Sequence, residues 1–461
     1  MAGGASDAPV AHIGPVHATS RVRASRAALL AGGLVLARLL VLARLLAPAE
    51  FGVFAIAHVV VALASSLAVA TPRPADQRAW LAGMLRAAIA AVVVAALAGP
   101  IAALCGVPRA AGVLRAIALL PVIQAFGTGP ATLEALVHGG LAIALAPIAG
   151  VWALVAGALG GAGAAALADR ATTPRPVGEA GDGAVPGPPP TPGGLAGSAV
   201  FLAASDLAIR VVLARRFGAG ALGVYYLAAS LVVVPLGAAA GVLAAGAQPA
   251  YRRLLGDPLA LRRAFRIFNA RLGAALVPVY GVLVGLAAAF AGPVLGVRWL
   301  GAAPLLRILG VAAVAGLVRV GAAPLFTAML RPQLLVLIDG AAFITVVLLA
   351  PLLVDAFGVP GAAFAWLGGA TAGLVVGVWL LNRAGARPFR DQGARIAALL
   401  GTGAAAGAAA FAVWAVWSGA PGLVSLGAGG ATGGVAAVLV LRALDRWLVA
   451  GIAEDLRAGP P

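Results

Sequence analysis

The chain has 461 residues, 62% of them hydrophobic and only 10% charged. A soluble domain carries about 25% charged residues, so that class is excluded, in keeping with a mean hydropathy of +1.05. The net charge of +17 comes entirely from arginine, set in short segments between apolar runs, which argues against nucleic-acid binding and for the positive-inside bias of a membrane protein.

Apolar runs of about 20 residues, each long enough to span a bilayer as a helix, recur from Ala27 to Ala450. Backbone polar groups in lipid must be satisfied within each segment, so the expected class is an all-α integral membrane protein. Residues 1–26 are read as a disordered cytoplasmic N-terminus, closed by Arg21, Arg23 and Arg26. A cleavable signal peptide ending at Ala47-Pro48-Ala49 is the competing reading. The apolar run before it is too long and is interrupted by Arg38 and Arg44, unlike a signal sequence.

The first span starts at Ala27. The second runs over 51–70 and the third over 81–104, with Pro72 and Pro74 between them. Spans four to six are placed at 111–128, 130–147 and 150–168, the fifth being short and weak. Asp169–Pro192 holds seven prolines among Gly and acidic residues, which marks an extended linker. Spans seven to twelve follow at 194–214, 221–247, 272–292, 302–328, 333–354 and 358–382, and spans thirteen and fourteen at 396–417 and 421–443.

Between spans eight and nine lie Arg252, Arg253, Arg262, Arg263, Arg266 and Arg271, with Leu261, Phe265 and Phe268 at helical spacing. This segment is expected either to lie on an anionic membrane surface or to be a solvated loop. With the N-terminus inside, every arginine-rich loop falls on the cytoplasmic side, and that parity requires the weak fifth span. The domain plan is therefore 27–168, a cytoplasmic linker 169–192, 193–382, two further helices over 383–450 and a tail 451–461.

Val41 to Ala57, VLARLLAPAEFGVFAIA, recurs at an offset of 171 residues as VLARRFGAGALGVYYLA, from Val212 to Ala228. Arg44 pairs with Arg215 and Gly52 with Gly223. Some identities come free in a chain this rich in Ala, Val and Leu, but the matched Arg and Gly favour duplication. Two similar halves with a site between them are a common transporter plan. Because both repeats begin in the same orientation, the halves are expected to be related by a two-fold axis along the membrane normal.

ARLLAPAEFGVFAIA resembles the junction of the first two helices in bacterial oligosaccharide and polysaccharide flippases, through Arg44, Leu45, Leu46, Pro48, Glu50, Phe51 and Gly52. Asp206 with RRFGAGALGVYYLA, Gln248 to Tyr251, and Trp299 with Ala302 to Leu309 resemble later stretches of that family, so the likeness extends over about residues 27–385. It implies the multidrug/oligosaccharidyl-lipid/polysaccharide exporter superfamily, with two six-helix lobes plus two C-terminal helices. It also implies alternating-access transport of an undecaprenyl-pyrophosphate-linked oligosaccharide across the bacterial inner membrane. The implied partners are that lipid-linked oligosaccharide, membrane lipids, a glycan polymerase and glycosyltransferases, with no cofactor. The compressed region 130–168 departs from the family pattern.

A charge in mid-span costs about 2.5–3.5 kcal/mol and normally faces a cavity or a partner. Arg38, Arg115, Glu134, Asp206, Arg210, Arg307, Arg319 and Asp339 are such charges. Arg38 and Arg210 fall one residue apart in the repeat, and guanidinium forks hold phosphate oxygens bidentately. These two are the leading substrate candidates, followed by Asp206, Arg319 and Arg307, with Asp339 a candidate for ion coupling. The structural alternatives are an Asp206–Arg210 pair on one helix face and snorkelling of Arg307 and Arg115 at helix ends. Arg44 and Arg215 are expected to mark the membrane boundary, His58 to pack, and Trp299, Trp414, Trp417 and Trp447 to anchor at the interface.

A drug exporter of the same superfamily is one rival, disfavoured by the arginine excess. A membrane glycan polymerase or ligase is another, but no sizeable external loop and no acid–base, metal or nucleophile constellation is present.

Overall fold

The computed structural model describes residues 15–68, 77–127, 129–172, 192–386, 393–416, 427–433 and 435. Among them there are helices and turns and no strand. The helices are α1 (Pro15–Leu45), α2 (Pro48–Ala68), α3 (Gln77–Leu104), α4 (Ala110–Ile117), α5 (Leu120–Phe126), α6 (Ala131–Ala149), α7 (Val151–Thr172) and α8 (Pro192–Arg253). They continue with α9 (Pro258–Gly285), α10 (Ala287–Ala289), α11 (Ala302–Ala328), α12 (Gln333–Phe357), α13 (Val359–Arg383) and α14 (Gly393–Val416). A π-turn over Phe290–Leu295 and a 3-10 turn over Val297–Trp299 join α10 to α11. Among the described residues, eleven helices are long and apolar enough to cross a membrane, α8 across 48 residues. The chain is a multi-pass membrane protein.

α8 holds two spans. The chain reverses at Gly218, whose φ of 74° and ψ of −177° break the helix in a conformation that side chains disfavour. The fourth expected span is divided into α4 and α5, because Pro121 at the start of α5 lacks the N–H that would continue α4. Counting α8 as two and α4–α5 as one, thirteen of the fourteen expected spans are helical in the described residues. The fourteenth is described only over 427–433 and 435, and residues 173–191 of the expected linker lie outside the described residues.

Several expectations are corrected. α1 begins at Pro15, well before Ala27, so part of the stretch read as disordered is helical, while the candidate span within that helix starts at Ala27 as expected. α6 is a 19-residue apolar helix, so the weak fifth span is a full one despite Gly139, Gly140 and Pro147. The arginine-rich segment before the ninth span is shared between two long helices: Arg252 and Arg253 end α8, and Arg262, Arg263, Arg266 and Arg271 lie in the first turns of α9. α9 is capped by the Asp257 carboxylate, which accepts from the backbone N–H groups of Leu259 and Ala260. Its apolar face is covered by protein: Phe265 is buried, and Leu261 and Phe268 pack with Tyr251, Phe326 and Leu381. Trp299, expected at the interface, is fully buried. It donates to the Ala43 carbonyl at 2.8 Å and meets Phe51 edge-on at 5.3 Å.

The two halves meet through α1 and α2 on one side and α8 on the other. The α2–α8 contact is reciprocal. A Cβ on Gly52 would lie 1.9 Å from the Ala219 carbonyl oxygen, and one on Gly223 would lie 1.7 Å from that of Pro48. Pro48 and Ala219 are themselves repeat partners, so the same contact is made twice with the roles exchanged, as a two-fold axis requires. Arg44 donates to the carbonyls of Val294, at 2.6 Å, and Pro293 beyond α10. Its repeat partner Arg215 faces Cys105 just beyond α3. All these contacts lie at the end of the bundle where α1 finishes, opposite the arginine-rich end.

Close approach through small residues recurs elsewhere. Gly281 and Gly285 of α9 pack on the carbonyls of Gly403 and Gly407 of α14.

A Gly223→Ala substitution is expected to destabilise the protein by about 1–3 kcal/mol, because the Pro48 carbonyl cannot withdraw. Gly220→Ala, whose Cβ meets open space, is expected to be close to neutral. Thermal unfolding of the two variants in detergent checks the contrast.

Candidate functional site

Where the halves face one another, three helices each present two side chains one turn apart. α2 presents Phe54 and His58, α6 presents Glu134 and His138, and α8 presents Asp206 and Arg210. α1 contributes Arg38, and the second span of α8 contributes Tyr226.

Arg210 is fully engaged. Its Nε donates to Asp206 at 2.9 Å, its terminal nitrogens donate to the other Asp206 oxygen and to the Ala55 carbonyl of α2, and its guanidinium lies 5.0 Å from the Tyr226 ring centroid. It is 5% exposed. Asp206 thus neutralises the arginine within its own helix, and the pair holds α8 against α2. The structural alternative for these two residues describes their geometry.

Arg38 stands in contrast. Its Nε is buried and has no hydrogen-bond partner. Its aliphatic stem lies along α6, 3.7 Å from where a Cβ on Gly139 would stand. Glu134 and Tyr226 face it electrostatically, but no ion pair joins Arg38 to Glu134 among the described residues. A guanidinium inside an apolar bundle without a partner is costly, and that cost falls when an anion binds it.

His58 packs with Phe54 and Tyr226, its ring 5.7 Å and 6.3 Å from theirs, and Arg38 and Arg210 both face it. His138 packs against α7 through Gly157 and Gly161 and also faces Arg38. Sequence reasoning assigned His58 to packing and passed over His138. The available signal was that only two of the four histidines fall within spans.

The remaining candidates lie elsewhere. Asp339, 1% exposed, accepts from Arg319 at 2.5 and 3.0 Å and from the Ser198 hydroxyl. Arg319 also donates to Ser198 at 3.1 Å. This cluster ties α8, α11 and α12 together within the C-terminal half, and it occupies both oxygens of the carboxylate considered for ion coupling. Arg307 is exposed in the second turn of α11, and Arg115 is exposed on α4, as snorkelling side chains are.

Arg307 lines a cavity of about 860 Å³ between α9, α11 and α14. Its wall is apolar, including Tyr280, Val284, Val314 and Leu399, with Arg263 and Arg266 toward the arginine-rich end. No group of three metal-ligating side chains occurs among the described residues.

This arrangement of helices is the fold of transporters of the multidrug/oligosaccharidyl-lipid/polysaccharide exporter superfamily. The lipid II flippase MurJ, in an inward closed conformation, is similar over 93% of this chain and 100% of its own, with a TM-score of 0.65 and 11% identity. An inward-facing multidrug resistance MATE transporter of that superfamily is similar over 82% of this chain and 99% of its own, with a TM-score of 0.55 and 16% identity. In sequence, residues 41–135 match the model of a family described as polysaccharide biosynthesis protein. The match begins at Val41, where the internal repeat begins, and covers less of the chain than the resemblance read from its motifs. No curated protein matches the chain.

Removing one partner of a buried ion pair strands the other, at a cost of about 3–5 kcal/mol; partial exposure of Arg319, 30% at its side chain, reduces that. Asp339→Leu and Arg319→Met are each expected to lower the unfolding temperature. The double variant is expected to be more stable than Asp339→Leu alone. A double-mutant cycle of thermal unfolding measures the coupling.

Proposed function

We propose that the protein is a flippase that moves an undecaprenyl-pyrophosphate-linked oligosaccharide across the bacterial inner membrane by alternating access, in the service of cell-surface polysaccharide assembly. The observation that carries this reading is Arg38, a guanidinium between the halves with its Nε buried and unpartnered. A pyrophosphate leaving water needs such a donor, and a planar fork meets two phosphate oxygens where an ammonium offers only a point charge. The apolar cavity beside α14, with arginines toward both ends, supports a substrate with a long hydrocarbon chain and a charged head.

In this proposal 27–168 and 193–382 are the two moving bodies, with 383–450 added to the second and 169–192 as a cytoplasmic connection. The arginine-rich end is cytoplasmic. The Gly52–Ala219 and Gly223–Pro48 contacts are the periplasmic closure, which must part for release. Arg210, held by Asp206 and the Ala55 carbonyl, forms the wall of the site, and Arg38 is the residue that reads the headgroup. The protein makes and breaks no covalent bond; a glycan polymerase and glycosyltransferases act before and after it. A drug exporter for organic cations would place an unpaired acid where this chain has Arg38.

Export of surface glycan in cells lacking the native gene tests the proposal. Arg38→Ala is expected to abolish export at normal protein level, and Arg38→Lys to retain part of it. Wild-type export by Arg38→Ala would refute it.

A further inference from the structure

At the end of the bundle where α1 finishes, each half caps the other. The backbone N–H of Ala47, which would continue α1 onto the Ala43 carbonyl, donates instead to the Glu50 carboxylate at 3.1 Å. The Ala43 carbonyl is thereby left over, one of the orphan acceptors of a helix C-terminus. Its partner comes from the other half: the Trp299 indole N–H, at 2.8 Å. On that side the helical turn Phe290–Leu295 ends at Gly296, whose φ of 104° breaks it, so its last carbonyls lack partners of their own. Two of them, on Pro293 and Val294, accept from Arg44 of α1. Phe51, edge-on to the Trp299 ring, holds the exchange from the side.

The glycine contacts of α2 and α8 obey the two-fold symmetry of the repeat, but these hydrogen bonds do not. Arg215 occupies in the second half the place that Arg44 has in the first. Both are exposed, yet Arg215 makes no hydrogen bond among the described residues. A role at the membrane boundary applies to both arginines alike; only Arg44 reaches across to the other half. The bonds also differ in how water competes for them. Arg44 stands in the open and can exchange its acceptors for water, whereas Trp299 is fully buried and Ala43 is 3% exposed. Parting the halves at this end is what wets that pair.

Resting on the reading of the two halves as moving bodies, we infer that Arg44 and Trp299 form a one-sided latch between them, which holds this end shut and whose release is the step that opens it. Bonds made in the closed state and not in the open one bias the equilibrium by their difference. The buried indole bond carries most of the hold, because a carbonyl stranded away from water costs more than a bond exchanged for one with water. The guanidinium, already in contact with water, is the part that lets go first. Arg44 and Trp299 are thus positioning residues, which set when the halves part at this end.

The test uses the full-length protein in detergent and needs no substrate. Hydrogen exchange of the Trp299 indole N–H reports how often the latch opens; it is followed by NMR on protein with labelled tryptophan and assigned by its loss in Trp299→Phe. Arg44→Ala is expected to speed this exchange by about tenfold, the scale of a lost charge-assisted hydrogen bond. Arg215→Ala is expected to leave it at the wild-type rate. Spin labels on Leu104→Cys at the end of α3 and Phe357→Cys at the end of α12, both exposed positions, report the parting of the halves in a Cys105→Ala background. Arg44→Ala/Trp299→Phe is expected to add a longer separation that the parent and Arg215→Ala lack. Exchange no faster in Arg44→Ala than in the wild type, or speeded equally by Arg215→Ala, overturns the inference. So does faster exchange with no longer separation in the double variant, which makes the contact a local cap. Neither readout involves Arg38, so wild-type glycan export by Arg38→Ala refutes the function proposed above and leaves the latch standing.

Discussion

The structure depends on one constraint, the backbone approach of α2 to α8. With hydrogen at Gly52 and Gly223, the carbonyls of Ala219 and Pro48 come closer than any side chain would allow. In lipid no hydrophobic effect drives helices together, so contact of this kind supplies much of the attraction. It also fixes the register of the two halves. A few residues further along α2, the Ala55 carbonyl meets the Arg210 guanidinium, and one turn beyond Phe54, His58 meets Tyr226. Trp299 and Phe51 seal the same end from the side.

Within that frame the charges divide by whether they are matched. Asp206 with Arg210, and Asp339 with Arg319 and Ser198, are closed groups that join helices and leave little capacity for a ligand. Pairs of this kind hold geometry more than they add stability. Arg38 differs because no equivalent acid stands within ion-pair distance of it, although Glu134 lies near. The distinction is one of distance and direction, and it separates a scaffold from a site among residues of identical type.

The polar space between the halves and the apolar cavity against α14 have complementary chemistry. One can neutralise a compact anion, and the other can shelter a hydrocarbon chain. Glycines at four-residue spacing on α9 and α14 bring those helices together beside the cavity, so the outer helices contribute to its wall as well as to the bundle.

Much of the fold was legible from composition and periodicity alone. Apolar length set the spans, and the repeat of Val41–Ala57 at Val212–Ala228 announced two halves. These signals are local, because a helix in lipid must satisfy its own backbone. Span ends were less certain: Pro15 starts a helix that polarity argued against, and the basic stretch before the ninth span was the start of a longer helix whose Phe265 turns to protein. The site was legible as residue types and not as roles. Arg38 and Arg210 occupy near-equivalent places in the repeat and looked alike, yet one has its acid four residues before it on the same helix and the other has none. Trp299 was misjudged for the same reason. What a side chain does in this bundle depends on which other helix faces it, and that is decided by tertiary packing, where burial and unmatched charge arise.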